Sequence, residues 1–512
     1  MSDAKHAGEH LSASELHAQL EASGELPGGY LTERQRATRK LGILFAALYF
    51  VQGAGEPSTG LVAQPVNSLL RSWNLSAGDM AMFTFWLGLP WSIKPLFGLL
   101  TDFVPIAGTR RKSYLILTSL MMSVGLLMAA FFPLESGDTT TLMLLLLMPT
   151  VGIAFGDVVT DGLMVEKGQP LGITSRLQSI QWTAITVAGL GTGALGGLLA
   201  EHKQQRIGFA ICGALGLITF VLAIFLVDEP RTSKLDKDSL KNALKAIWQT
   251  ARSPVVVAVG VFLFLLNFNP FSGTVCYVYE TEQLGFSEQF VGTLSSVSSA
   301  SGIVAAVLYG VYAPRLPLKW LIHGSIVTAI LMNLAFLVYV GEVSAYFVYI
   351  AYGFVCMLTT LTQLDLAAKF VPVASAGTAF ALLMSLSNLS VSLSTVVGAN
   401  FYDKLLEATD REGVALFSEA GAFRVLVLIG SAFTAACFFL TVLLPKEDAQ
   451  AKAAEAAELE ELSRASGLSG VSGVEALASG DDVASRMEPI EPDPMDERER
   501  EQGEPPRSGE GG

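Results

Sequence analysis

Long apolar runs separated by short polar stretches set the pattern of this chain. A membrane-crossing helix needs about 20 mostly apolar residues at a rise of about 1.5 Å each. Runs of that kind fall near 41–64, 79–101, 113–133, 141–165, 176–200 and 206–227. A second set falls near 255–280, 288–311, 319–340, 343–368, 374–402 and 421–444. Between them, 228–254 is polar and carries Asp236, Lys237, Lys241, Lys245 and Trp248. Its stretch from Asp238 to Ala251 reads as a helix outside the hydrocarbon. The pattern predicts an all-α membrane protein of about twelve transmembrane helices in two six-helix bundles, 41–227 and 255–445. Residues 1–40 form a polar N-terminal segment, and 446–512 a polar tail.

Composition supports a bilayer as solvent. The 512 residues are 51% hydrophobic and 16% charged, against about 25% charged in soluble domains. The net charge of −14 is mostly a property of the tail, where Asp and Glu crowd after Pro445. It therefore does not point to a basic partner, and no basic face suits nucleic acid. The tail is rich in Gly, Ser, Pro and acidic residues beyond Ser463 and is expected to be disordered. Cys212, Cys276, Cys356 and Cys437 each sit in an apolar run and read as buried small hydrophobes, with no metal or disulfide spacing. The N-terminus lacks the short apolar core of a secretory signal, so the first span is expected to direct insertion.

Basic residues fix the expected orientation. Arg34, Arg36, Arg39, Lys40, Arg110, Arg111, Lys112, the connector's Arg231, Lys234, Lys237, Lys241, Lys245 and Arg252, and Arg315 and Lys319 fall on one side of a twelve-span chain. The opposite loops hold few, among them Arg71, Lys203, Arg206, Lys404 and Arg411. Both termini are thus expected in the cytoplasm, with the chain a multi-pass protein of the cell or inner membrane.

The halves repeat each other weakly. Glu56-Pro57-Ser58-Thr59-Gly60 in span 1 matches Asn269-Pro270-Phe271-Ser272-Gly273 in span 7. Gly98 precedes Pro105 as Gly310 precedes Pro317, and Asp161 in span 4 has a rough counterpart in Asp365 of span 10. Two parallel six-span repeats are the plan of the major facilitator fold. Proline inside a helix frees a carbonyl one turn earlier. The carbonyls of Gly53 and Leu266, freed near mid-membrane, are therefore expected to line a wet cavity, with a simple packing kink as the alternative.

A charge at a span's centre costs about 2.5–3.5 kcal/mol on insertion scales and persists when paired or used. The candidates are Glu56, Lys94, Asp157, Asp161 and Asp365. Asp157 and Asp161 are one turn apart and share a face. Lys94 and Asp157 fall at similar depth and are expected to pair. Clustered carboxylates favour binding of a proton, so Glu56, Asp157 and Asp161 are candidates for proton coupling. Asn269, beside Pro270, joins them as a site candidate. Asp365 and Lys369, one turn apart in span 10, are placed at a gate with a local pairing. The sequence offers no nucleophile–histidine pair, metal spacing or phosphate loop, so no enzyme and no cofactor are expected.

Gly98, Asp102, Gly108, Arg110, Arg111 and Lys112 resemble the loop between spans 2 and 3 of the major facilitator superfamily. The longer string Gly88-Leu-Pro-Trp-Ser-Ile-Lys94-Pro-Leu-Phe-Gly98, with Arg110-Arg111-Lys112-Ser113-Tyr114, is similar to the folate–biopterin transporter family. So are Gly156-Asp157-Val-Val-Thr-Asp161-Gly-Leu-Met-Val-Glu166, Leu177-Gln178-Ser179 and Phe380 to Asn388. The resemblance implies a secondary carrier of folates or related pterins, coupled to protons, with a gate at Gly98, Asp102, Arg110 and Arg111. A pterin's amino-pyrimidinone edge suits a carboxylate such as Glu56 or Asp157, and a folate's anionic tail suits Lys94. Trp91, Trp182 and Asn388 add stacking and hydrogen bonds. Carriers of muropeptides, nucleoside-like or coenzyme A-like solutes, and a non-transporting receptor, remain alternatives. The second-half loop Gly310-Val-Tyr-Ala-Pro314-Arg315 lacks a counterpart of Asp102, so the gate is expected to be asymmetric.

Overall fold

The computed structural model describes residues 30–230, 237–370 and 376–444, which lie in one compact unit ending at Leu444. The expectations for residues 1–29, for Arg231, Lys234 and Asp236 of the connector, and for the tail from 446 lie outside the described residues.

The first half comprises α1 (Tyr30–Gly55), α2 (Ala63–Ser72), α3 (Ala77–Ser92), α4 (Lys94–Phe103), α5 (Lys112–Phe131), α6 (Thr139–Gly168), α7 (Thr174–Glu201) and α8 (Gln205–Leu226). The amphipathic α9 (Lys237–Ala251) follows, close to the predicted connector helix. The second half comprises α10 (Pro254–Asn267), α11 (Thr274–Val278), α12 (Glu288–Tyr312), α13 (Leu318–Ala335), α14 (Glu342–Phe370), α15 (Ala376–Glu407) and α16 (Glu419–Leu440). Helix α1 starts well before the predicted Leu41, so part of the polar N-terminal segment is helical. Cys212, Cys276 and Cys437 are buried, and Cys356 is exposed.

Among the described residues nine helices, α5–α8 and α12–α16, are each long and apolar enough to cross a bilayer; α9 and α10 pass only as a pair bent by 67°. The predicted spans missing from these nine are the first, second and seventh, and each is broken in two. The cause is proline. Pro57, Pro95 and Pro270 carry no N–H for the carbonyl one turn before. The chain does not merely kink. It leaves the helix from Glu56 to Val62 and from Phe268 to Gly273, and pivots at Ile93. Backbone freed inside a membrane must find other donors. Asn388 Nδ2 donates to Trp91 O at 3.2 Å, the carbonyl that Pro95 cannot serve.

The two large breaks are seated alike. A Cβ on Gly196 of α7 would lie 2.8 Å from Leu61 O in the first break, and one on Gly398 of α15 would overlap Pro270 O in the second. Helices α7 and α15 hold matching places in their halves, so each break rests on a glycine of its own half's fifth span. Glycine inside a helix costs about 0.5–1 kcal/mol, and close backbone approach is what it allows here.

The halves are joined unevenly. One cluster of buried apolar residues runs through both halves on the side away from the connector, taking in Leu70, Met80, Phe209, Phe271, Tyr279 and Phe423. On the connector side each half has a separate core, one around Phe45, Phe155 and Leu163, the other around Phe262, Ile322 and Leu383. Apart from the Asn388–Trp91 link near mid-span, the polar links between the halves among the described residues follow the same division. Gln64 Nε2 donates to Glu288 Oε2 at 2.8 Å, Gly78 N to Asp403 Oδ2 at 2.7 Å and Ala194 N to Ser296 Oγ at 2.8 Å, and Arg71 pairs with Glu282. All lie toward the side away from the connector.

Candidate functional site

Polar side chains from α1, α4, α6 and α7 converge inside the first half. Asp157 and Asp161 project from one face of α6. Lys94, at the first turn of α4 beside the break in the second span, forms an ion pair with Asp157 Oδ2. Gln52 Nε2 of α1 donates to Asp157 Oδ1 at 2.6 Å. One turn earlier on α1, Tyr49 donates its hydroxyl to Asp161 Oδ1, which also accepts from Gln181 Nε2 at 3.1 Å. Lys94 Nζ lies 5.1 Å from the centre of the Trp91 ring. Asp157 is only 4% exposed, so its charge is held by the lysine and an amide rather than by water.

Glu56 opens the break in the first span and is 4% exposed. Its Oε1 accepts from Ser58 Oγ at 2.9 Å, while Oε2 is buried with no hydrogen-bond partner among the described residues. An unsatisfied buried acceptor costs about 1–3 kcal/mol. A proton on the carboxyl or a solute N–H removes that cost.

The other candidates lie apart. Asn269 Nδ2 reaches Asn333 Oδ1 at 3.4 Å, and Asn333 donates on to Thr434 Oγ1 at 3.1 Å, so this chain runs inside the second half among α13 and α16. Asn388 serves the Trp91 carbonyl. Asp365 accepts from Tyr309 Oη of α12 at 2.6 Å, and Lys369 is exposed one turn on.

At the connector-side end of the first half, Arg111 is the hub. Its Nη2 meets Asp102 Oδ1 at 2.7 Å and Glu166 Oε1 at 2.8 Å, and its Nη1 donates to Thr101 Oγ1 at 2.8 Å. Burial alone would lower the guanidinium's pKa, but the hydrogen bonds and charges of Glu166 and Asp102 outweigh it and hold it above the ordinary value. A Cβ on Gly162 of α6 would come within 2.7 Å of the guanidinium carbon, so that glycine makes the room. At Gly98, by contrast, a Cβ would meet only Val158 at 3.8 Å. Arg110 Nη1 donates to Asp102 O at 3.2 Å. The backbone N–H groups of Arg110, Arg111 and Lys112 all donate to the Glu229 carboxylate, at 2.7, 2.9 and 2.8 Å, and cap the start of α5 with an anion.

Sequence reasoning did not single out Tyr49, Gln52, Gln181, Glu229 or Glu280. The first two had a signal, because Tyr49 and Gln52 share a face of α1 and Glu56 follows one turn on, just past its end. Glu280 sits at the edge of the predicted seventh span. The break and a π turn over Tyr279–Gln283 carry that span past it.

The profile of the BT1 family matches residues 60–464. A folate-biopterin transporter of Synechocystis sp. is 32% identical over 79% of this chain and 82% of its own length. A probable folate-biopterin transporter of Arabidopsis thaliana is 23% identical over 80% of this chain and 96% of its own. A folate transporter of Plasmodium falciparum is 21% identical over 65% of this chain and 67% of its own. Among solved structures, the nucleoside transporter NupG superposes with a TM-score of 0.62 at 15% identity, over 79% of this chain and 100% of that one. A D-xylose–proton symporter gives 0.60 at 13% identity, over 79% and 98%. These likenesses establish the major facilitator fold.

Proposed function

This chain belongs to the BT1 family of folate–biopterin transporters, and from that membership we propose that it carries folate, biopterin or a related pterin by alternating access, driven by protons. It is a multi-pass membrane transporter and not an enzyme. The observation that carries the proton reading is the buried Lys94–Asp157 pair, with Asp161 one turn away and Glu56 at the adjoining break. Both Asp157 oxygens are engaged, by Lys94 and Gln52, so this centre belongs to coupling rather than to direct reading of the solute. Protonation of the carboxylate releases Lys94, and the lysine holds the first half's broken second span to α6. Proton binding thus loosens the joint on which that half turns.

The halves rock as units, residues 41–227 against 255–445. The continuous core and polar links on one side, against separate cores on the connector side, support a state open toward the connector. Asp102, Arg110 and Arg111 with Gly98 form the first half's gate, and Asp365 and Lys369 mark the matching region of the second. The excess of Lys and Arg supports a cytoplasmic connector and cytoplasmic termini, in a cell or inner membrane. A cysteine at Lys237 should react with an impermeant reagent only from the cytoplasmic face; labelling of intact cells from outside would reverse the orientation.

The function itself is tested by uptake of radiolabelled folate or pterin into proteoliposomes of the purified chain. Saturable uptake, absent from protein-free vesicles and competed by unlabelled pterin but not by nucleosides or muropeptides, is expected. Uptake competed by one of the other solutes and not by pterin would assign a different cargo.

A further inference from the structure

A second carboxylate lies across the molecule from the coupling centre. Glu280, on the π turn that ends the seventh span, is 1% exposed. Its Oε1 accepts from Tyr339 Oη at 2.6 Å, Tyr349 Oη at 2.6 Å and Cys276 Sγ at 3.4 Å. All three are neutral donors, and all converge on one oxygen. Among the described residues no lysine or arginine pairs with it, and Oε2 takes no hydrogen bond. Glu280 lines a cavity of about 280 Å³ between the halves, closed from the first half by Gln64 and walled in the second by Ser295, Tyr349 and Tyr352. The two tyrosine rings lie 6.1 Å apart, centre to centre.

Each feature has a chemical consequence. Three donors fix Oε1, so the carboxylate cannot turn freely, and Oε2 is presented as a ready acceptor. A buried acceptor without a cation selects a neutral group that brings N–H donors, since a site built around such a bond rejects analogues that lack it. Aromatic walls favour a flat ring. The volume lies just below the usual range of ligand pockets, about 300–1,000 Å³. It suits a bicyclic head group and not a whole glutamate conjugate.

We propose that this cavity receives the pterin ring, with Glu280 Oε2 accepting a hydrogen bond from its amino-pyrimidinone edge and Tyr349 and Tyr352 contacting its face. This rests on the pterin reading above and assigns ring recognition to the second half, leaving Lys94 and Asp157 to coupling.

The test is equilibrium binding of pterin, and of the 2-oxo analogue lumazine, to the purified full chain. Wild type should bind pterin more tightly than lumazine. Glu280→Gln should weaken pterin about tenfold or more, the range of a hydrogen bond to a charged group, and should level the two ligands. Ser295→Leu, at a position exposed to the cavity and outside the packed core, should abolish pterin binding while the protein stays folded. It decides the matter if Glu280→Gln does not fold. Pterin affinity within about twofold of wild type in the folded variants overturns this inference alone. So does unchanged affinity with lost gradient-driven accumulation in Glu280→Gln, which would make Glu280 a coupling residue. A folded wild type that binds no pterin overturns the substrate reading and this inference together.

Discussion

Asp157→Asn and Lys94→Met should each lower stability by about 3–5 kcal/mol, because removing one member of a buried pair strands the other charge. The lysine side chain is 20% exposed and the aspartate's 5%, so neither can be rescued by full hydration. The double variant should cost clearly less than the sum of the singles, which a double-mutant cycle in detergent unfolding measures. Recovered stability should not bring recovered accumulation, since the site that exchanges Lys94 for a proton is gone. Strictly additive losses would show that the two charges do not hold each other. Full accumulation in Asp157→Asn would move proton handling to Glu56 or Asp161.

Arg111→Ala should have the next largest effect. The guanidinium serves Asp102, Glu166 and Thr101 at once. The two carboxylates are half exposed, at 49% and 48%, so water takes over part of its role. A loss of about 1.5–3 kcal/mol, the range of a hydrogen bond to a charged group, is expected. Turnover should fall by an order of magnitude or more with pterin affinity kept within a few-fold. Arg111→Lys should restore little, because a lysine cannot serve both carboxylates and the threonine in one planar fork. A large loss of equilibrium binding with unchanged turnover would contradict a gating role.

The residues that stood out in the sequence are those whose chemistry is costly where they sit. Glu56, Lys94, Asp157 and Asp161 interrupt apolar runs, and a lone charge at membrane depth needs a reason. That logic brought Lys94 and Asp157 together across 63 positions. Their neutral partners carry no such penalty. Tyr49 and Gln52 read as ordinary members of a helix, and Gln181 as one more polar residue near a span's end. Long separations hid others: Glu166 lies 55 positions from Arg111, and Glu229 lies 118. The span pattern was legible wherever helices are continuous. It misjudged the first, second and seventh spans because apolar content does not report whether a proline bends a helix or ends it. The choice depends on what lies against the broken backbone, here Gly196, Gly398 and Asn388, all far along the chain. Asn269, singled out by its repeat position, reaches Asn333 with Nδ2 inside the second half, while its Oδ1 is buried without a partner among the described residues.

The proposed cycle couples proton movement to the passage of a pterin or folate across the membrane. Its most direct test is uptake of labelled pterin into proteoliposomes with an imposed pH gradient, acidic outside. One pH unit corresponds to about 1.36 kcal/mol, or about a tenfold concentration ratio per proton. Transient accumulation above the outside concentration is expected, collapsing when a protonophore is added and absent in Asp157→Asn. Uptake that only equalises the two sides, at the same rate with and without the gradient, would contradict it.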